Sequence, residues 1–167
     1  MKMIVKALAG PYVHTDMIVS QLGPETIHTA YTAYMYESFS RTPQNMFWYG
    51  DHSHDFLCIQ ISTEELQRVS DTCEACVKTK LPYNTKDMLL SIVPLRNPFE
   101  SNIFSATSLF CSQSIVLILR SCLDEGHRLQ PDLKSVNSRT VTPSQLYTLM
   151  RAHCIPVSTR QILKGCN

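Results

Sequence analysis

Three residues that lie far apart in this sequence carry the side chains that nucleophilic catalysis by a thiol requires. Cys111 stands where a polar stretch around Ser108 gives way to the apolar run of residues 115–119. His14 and His28 lie upstream, each in a short stretch with the composition of an extended strand. A thiolate attacks a carbonyl carbon while an imidazole moves the proton, so the residue types indicate a thiol hydrolase.

The surroundings of Cys111 predict that it opens a helix of about residues 109–124, with Gly126 as its C-cap. This segment is apolar on nearly all sides through Leu119, which is typical of a central, buried helix. A thiol at a helix N-terminus meets unpaired backbone N–H groups and the positive end of the helix dipole. Both favour the thiolate, which is the reactive form.

The two histidines are expected on neighbouring strands of a hairpin, about residues 12–20 and 25–31, with a turn at Gly23. Side chains on paired strands can face each other, so we expect His14 to act as the base and His28 to orient its ring. Asp16 is two residues from His14 on the same strand, and we favour His28 over it for that reason.

The remaining pattern predicts an α+β fold, with helices and a small antiparallel sheet around one core. Ser62 and Glu65 form a capping box before an apolar stripe, and Pro143 follows an N-capping threonine. The chain is expected to form a single domain over residues 1–167, with its core at about 10–152. Predicted strands are 2–9 and 56–61, predicted helices are 63–79, 85–92 and 143–152, residues 31–55 and 94–107 are expected to be loops, and nothing is assigned from Ile155 onward.

Composition narrows the classes of function. The 167 residues carry a formal net charge of +1, and their 15 Lys and Arg are scattered, so no nucleic-acid partner is predicted. No apolar run reaches the roughly 20 residues that a membrane-spanning helix needs, and the N-terminal stretch resembles a strand more than a signal peptide. Seven cysteines at irregular spacing then predict free thiols in a reducing compartment, the cytoplasm.

Two other motifs lead to weaker hypotheses. Cys73 and Cys76 form a CxxC motif inside a helical pattern, where two small buried residues are the simpler interpretation. His52 and His54 flank Ser53 and resemble a metal-binding pair, but the sequence offers no matched set of further ligands. We therefore predict no metal site.

The order of these features resembles the circularly permuted papain-like superfamily, which includes NlpC-related hydrolases, lecithin retinol acyltransferase-like enzymes and PPPDE-type peptidases. The similar elements are the His14 strand, the following His28 strand, the Phe110-Cys111-Ser112-Gln113 motif, Tyr83-Asn84 and the Thr142-Pro143 helix. Gln113 replaces the usual glutamate, and the glycine–aspartate element before the histidine strand is absent. The compact size is also similar to members that large DNA viruses encode.

The resemblance implies a small antiparallel sheet packed on a central helix that carries the nucleophilic cysteine at its N-terminus. It implies a Cys111–His14–His28 triad, a peptide or other acyl substrate and no cofactor. Tyr12, Tyr83 and Gln113 are the residues expected to bind the oxyanion or the substrate, beside the backbone N–H of Cys111. An alternative from another class is an inactive binding or virion-associated protein on the same scaffold.

Overall fold

The computed structural model describes residues 2–8, 14–21, 27–33, 38–42, 54–90, 103 and 106–157. Within these ranges the chain is an α+β protein, as its pattern of strands and helices predicts. The strands are β1 (Lys2–Leu8), β2 (Thr15–Gln21), β3 (Ile27–Ala33), β4 (Phe39–Thr42), β5 (His54–Gln60) and β6 (Ile155–Val157), and the helices are α1 (Thr63–Thr79), α2 (Thr85–Leu90), α3 (Cys111–Cys122), α4 (Gln130–Ser135) and α5 (Pro143–Arg151).

The six described strands form one antiparallel sheet in the order β4-β3-β2-β1-β5-β6. The predicted pairing of the two histidine strands is confirmed, because β2 and β3 are antiparallel neighbours. In this register Met17 lies opposite Tyr31 and Ile18 lies opposite Ala30. Since each register pair shares one face of the sheet, this pairing fixes which side chains meet near His14.

The sheet buries apolar side chains on both faces. Met17 and Tyr31 belong to the main core cluster, which also contains the apolar residues of α1 and α3. The adjacent pair, Ile18 and Ala30, belongs to a second cluster with Phe56 and Cys58. Alternation along β2 therefore separates its residues into a helix-facing set and a set on the opposite face.

Helix α3 is the central element, as the apolar run predicts. It contacts α1, α4 and α5 on several sides and β2 and β3 at the sheet. Every residue from Cys111 to Leu119 is buried. A helix that is enclosed on all sides holds its first residue at a fixed position, which is what a reactive side chain requires.

The capping signals define two helices accurately. The capping box at Ser62 is confirmed, since Glu65 N–H donates to Ser62 Oγ at 3.1 Å and Ser62 N–H donates to Glu65 Oε2 at 2.8 Å. Helix α1 spans the predicted residues. Thr142 caps α5 in the same way, with Pro143 as the first residue of the helix.

Residues 31–55 and the C-terminal stretch contain strands that the sequence pattern does not predict. Residues 31–55 are not all loop, because β3 extends to Ala33, β4 follows it and β5 begins at His54. Strand β4 has a single large apolar residue, Phe39, which stacks on Tyr31 with 6.4 Å between ring centroids, so its alternation is too short to detect. Residues Ile155–Val157, to which the sequence pattern assigns no element, pair with β5 as β6.

Gly126 is not the C-cap of α3, because the helix ends at Cys122 and Leu123 occupies the C-cap position. The amide of Gln130 instead donates to the carbonyls of Arg120 at 3.1 Å and Leu123 at 2.7 Å. The Arg120 guanidinium in turn donates to the carbonyl of Leu133 at the end of α4. The two helices therefore cap each other. The sequence pattern does not predict α4, although Pro131 lies in its first turn.

No helix in the described parts of the chain combines the length and the apolar character that crossing a bilayer demands.

Candidate active site

Cys111 is the first residue of α3, preceded by Phe110 in an extended conformation. Its side chain is almost completely buried, with 2% of the residue surface exposed. Two backbone N–H groups donate to its sulfur, one from Ser112 in the first helical turn and one from Thr15 at the start of β2. The sulfur therefore lies between the N-terminus of α3 and the first residue of β2.

His14 immediately precedes β2, and its imidazole hydrogen-bonds to the Cys111 sulfur. Its Nε2 atom lies 2.7 Å from Asp16 Oδ1 and 3.0 Å from Thr32 Oγ1. The structure thus brings together Cys111 and His14, which are 97 residues apart in the sequence.

The electrostatics of this pair favour charge separation. Burial alone would lower the pKa of His14, but the hydrogen bonds to Asp16 and Cys111 and the negative charge of both raise it to about 10. Burial alone would raise the pKa of Cys111, but the contact with His14 and the two backbone N–H groups lower it. Both shifts favour the form of the pair in which a thiolate lies beside an imidazolium.

Asp16 and Thr32 both contact Nε2 of the imidazole. In the antiparallel register of β2 and β3, Met17 lies opposite Tyr31. Continued by one residue, the same register places Asp16 opposite Thr32. Both side chains are buried, with 5% of Asp16 and 2% of Thr32 exposed. A buried carboxylate at this distance fixes the ring orientation and stabilises the imidazolium.

The preference for His28 over Asp16, which was based on the closeness of Asp16 along the strand, does not agree with this contact. His14 stands before the first residue of β2, and its ring lies over Asp16, two residues on. Residues at i and i+2 share a face in extended chain, which brings the two side chains to the same side. Thr32 carries no chemical signal in the sequence, and only the strand register identifies it.

The same register separates His28 from His14. The backbone of His28 pairs with Ser20, six residues beyond His14, which is about 20 Å at roughly 3.3 Å per residue. That distance exceeds the reach of two imidazole side chains. The expectation that His28 orients His14 does not agree with this pairing.

Tyr83, expected near the oxyanion or substrate, lies beside the nucleophile. Its hydroxyl hydrogen-bonds to the Cys111 sulfur. Burial raises the pKa of Tyr83, and the neighbouring Cys111 raises it further. The phenol consequently stays protonated and can serve only as a donor to the thiolate.

Gln113, also expected near the oxyanion or the substrate, contacts the backbone at the start of α3. Its Oε1 accepts the N–H of Phe110 at 3.3 Å, and the residue is 1% exposed. The neutral amide thereby caps the helix in the position where a glutamate is usual. It adds no negative charge next to the Cys111 thiolate.

Thr15 presents a polar atom that has no partner within the described ranges. Its hydroxyl is buried and forms no hydrogen bond there, although its backbone N–H donates to the Cys111 sulfur. A buried hydroxyl without a partner is costly unless a ligand or water meets it. The orphaned atom lies one residue from the proposed base.

The remaining residues singled out in the sequence are Tyr12, His52 and His54. Tyr12 and His52 lie outside the described residues, and only the backbone of His54 is described, as the first residue of β5. No group of three or more His, Cys, Asp or Glu side chains in the described ranges is arranged to hold a metal ion.

The other thiols show how unusual Cys111 is. Cys73 and Cys76 of the CxxC motif are buried in α1, and six described cysteines, Cys111 among them, are free thiols. Burial raises the pKa of Cys73, and raises those of Cys76 and Cys154 to about 11 and about 12. The pKa of Cys122 is also raised by burial, so among the described thiols with a resolved shift only Cys111 becomes more acidic.

A cavity of about 660 Å³ lies between α4 and α5 and is not lined by Cys111 or His14. Its wall includes Val141, whose carbonyl accepts the Ser112 hydroxyl at 2.6 Å. We identify the candidate site by its converging reactive groups and not by cavity size.

Comparison of the chain with models of protein families, with curated proteins and with solved structures gave no match. The assignment of function therefore depends on the chemistry of these residues.

Proposed function

We propose that this protein is a cysteine hydrolase or acyltransferase that acts on an amide, ester or thioester. The observation that carries the proposal is the contact between Cys111 and His14, in which each group shifts the pKa of the other toward the charged form. Perturbed pKa values in a specific donor–acceptor pair are characteristic of catalytic sites.

In the proposed reaction the Cys111 thiolate forms a bond to the carbonyl carbon, and the carbonyl π electrons move to oxygen. The intermediate collapses to a thioester and expels the leaving group, which takes a proton from His14. Water or another acceptor then attacks the thioester while His14 accepts its proton, which releases the Cys111 thiolate.

Asp16, and not His28, is the group that orients His14 in this proposal. Its carboxylate and the Thr32 hydroxyl engage Nε2 of the ring. The proposed triad is thus Cys111, His14 and Asp16.

The resemblance to the permuted papain-like superfamily supports the same proposal. A histidine at the start of one strand and a cysteine at the start of a later central helix follow the order of that superfamily, and α3 packs on the strand that follows His14. We extend the proposal to the fold on that basis.

The experiment that tests the proposal is labelling of the native protein with a fluorescent iodoacetamide at pH 6.5, followed by intact mass spectrometry. We expect one rapid adduct in the wild type and none in Cys111→Ala, because the thiolate fraction of an ordinary cysteine is only about 1% at this pH. The matched control is Cys154→Ala, which removes a buried thiol of raised pKa and should keep the rapid adduct. Labelling of Cys111→Ala at the wild-type rate would exclude Cys111 as the nucleophile.

The alternative, a non-catalytic binding protein on the same scaffold, is favoured by one observation, the near-complete burial of Cys111. The pH dependence of alkylation distinguishes the two. A catalytic Cys111 should have a midpoint below the ordinary value of about 8.5, because its pKa is lowered. A midpoint at the ordinary value would favour the binding protein.

A further inference from the structure

Tyr83 is held in place by backbone hydrogen bonds on both sides. It lies in residues 81–84, which connect α1 and α2. Phe39 N–H donates to the Leu81 carbonyl at 2.7 Å, which attaches this segment to β4. Leu109 N–H donates to the Pro82 carbonyl at 3.0 Å, and Asn84 N–H donates to the Leu109 carbonyl at 2.9 Å.

This ladder sets Tyr83 against the residue two positions before the nucleophile, since Tyr83 and Leu109 form a parallel bridge. The backbone on both sides of Tyr83 is therefore fixed relative to the start of α3. From this position the phenol hydroxyl contacts the Cys111 sulfur. The contact follows from the backbone arrangement and does not depend on a long, flexible side chain.

Four donors surround the sulfur: the His14 imidazole, the N–H groups of Thr15 and Ser112, and the Tyr83 hydroxyl. They do not have equal freedom during the reaction. The two N–H groups are fixed in the backbone, and the His14 proton is required by the leaving group. The Tyr83 hydroxyl can rotate about its C–O bond and redirect its proton.

We propose that Tyr83 is a catalytic residue whose hydroxyl donates first to the Cys111 thiolate and then to the oxyanion. When the sulfur electron pair becomes the new C–S bond, the negative charge passes from the sulfur to the carbonyl oxygen, one bond beyond the attacked carbon. The hydroxyl follows the charge and keeps its own proton throughout. This role deepens the proposed hydrolase or acyltransferase function and rests on it.

Two reactions of the same thiol separate the two roles of Tyr83. Alkylation by iodoacetamide displaces iodide at a saturated carbon and forms no oxyanion, whereas acylation by p-nitrophenyl acetate passes through one. The variant Tyr83→Phe keeps the aromatic ring and removes only the hydroxyl. Tyr147→Phe, on α5, is the matched control.

In Tyr83→Phe we expect the alkylation midpoint to move to higher pH, because the thiolate loses a donor. Above that midpoint, where the thiol is fully ionised, alkylation should proceed at the wild-type rate. Acylation in the same pH range should be slower by roughly 10²- to 10³-fold, the usual effect of removing one oxyanion donor. Tyr147→Phe should match the wild type in both reactions.

Each contrary result has a defined meaning. An unshifted alkylation midpoint overturns the thiolate role, and equal slowing of both reactions at high pH overturns the oxyanion role. A wild type that releases no nitrophenolate beyond Cys111→Ala contradicts the proposed function, and with it the oxyanion role. The alkylation midpoint still tests the contact between Tyr83 and the thiolate in that case.

Discussion

At the scale of single residues, the candidate site depends on the side chain that orients His14. The Asp16 carboxylate lies 2.7 Å from Nε2, whereas the backbone of His28 pairs six residues further along β2. A carboxylate in this position both fixes the ring and stabilises its positive charge. Substitution of Asp16 and substitution of His28 are therefore expected to have different effects on the reaction.

We expect Asp16→Asn to slow acylation of Cys111 by roughly 10²-fold or more, because the neutral amide loses the charge that keeps His14 protonated. The alkylation midpoint should also rise, since a less stable imidazolium stabilises the thiolate less. His28→Asn should remain within about twofold of the wild type in p-nitrophenyl acetate turnover. The reverse pattern would restore His28 as the orienting residue.

The sequence alone predicts that Cys111 opens a helix and that His14 lies beside a strand, because the signals for these elements are local. A polar stretch before an apolar run predicts a helix start, and a β-branched stretch predicts a strand. Asp16 and Thr32 could not be assigned in this way, because their contact with His14 depends on the exact register of β2 against β3. A shift of one residue moves every side chain to the other face, and composition does not specify that choice.

At the scale of elements, Glu65 connects the start of α1 to the end of α3. Its carboxylate accepts the N–H of Ser62 at 2.8 Å and the N–H of Asp124 at 2.9 Å. Burial alone would raise the pKa of Glu65, but these backbone hydrogen bonds lower it below 4.5. One ionised side chain thus satisfies donors on two helices that pack together.

Because the folded state holds Glu65 at a lowered pKa, ionisation of this group stabilises the protein above pH 4.5. The contribution is lost as the pH falls through the folded-state pKa. We expect Glu65→Gln to have a lower free energy of unfolding than the wild type at pH 7 and a smaller dependence on pH in the acid range. Urea denaturation at pH 3 to 7 measures both.

The control for this experiment is Glu64→Gln, which changes an exposed carboxylate in the same helical turn. Its unfolding free energy should stay within about 0.5 kcal/mol of the wild type. Parallel pH curves for Glu65→Gln and the wild type would contradict the role assigned to Glu65.

The elements that the sequence predicts well are those with chemical end signals. Ser62, Thr142 and Pro143 give α1 and α5 their starting points, because each satisfies or removes an unpaired helix donor. Strand β4 and helix α4 have four and six residues, too few for a periodic pattern to emerge. They form because Phe39 and Leu133 are buried by distant parts of the chain.

At the scale of the whole molecule, ionisation of Cys111 requires the sheet and the helices to be assembled. The donors to its sulfur come from His14, Thr15, Tyr83 and its own helix, so no isolated segment contains them all. For the thiols of Cys73 and Cys76, burial in the same assembly has the opposite effect on pKa.

We therefore expect unfolding at pH 6 to lower the alkylation rate of Cys111 and to raise the alkylation rates of Cys73 and Cys76. In a urea titration, alkylation of Cys111 should slow as its thiolate is lost, whereas alkylation of Cys73 and Cys76 should accelerate as they become exposed. Peptide mass mapping after a short iodoacetamide pulse measures each site separately. A rate at Cys111 that rises together with the others would contradict the ion pair.

The distribution of the reactive groups has a consequence for chain connectivity. The first 60 residues contain His14, Asp16 and Thr32, together with strands β1 to β5. Tyr83 and Cys111 come later in the chain. Two polypeptides divided at Ile61 would each carry an incomplete set, and neither would have an acidic thiol by itself. Strand β6 of the second piece would pair with β5 of the first piece, which would help the two pieces to associate. We expect an acidic thiol only after the two pieces have associated.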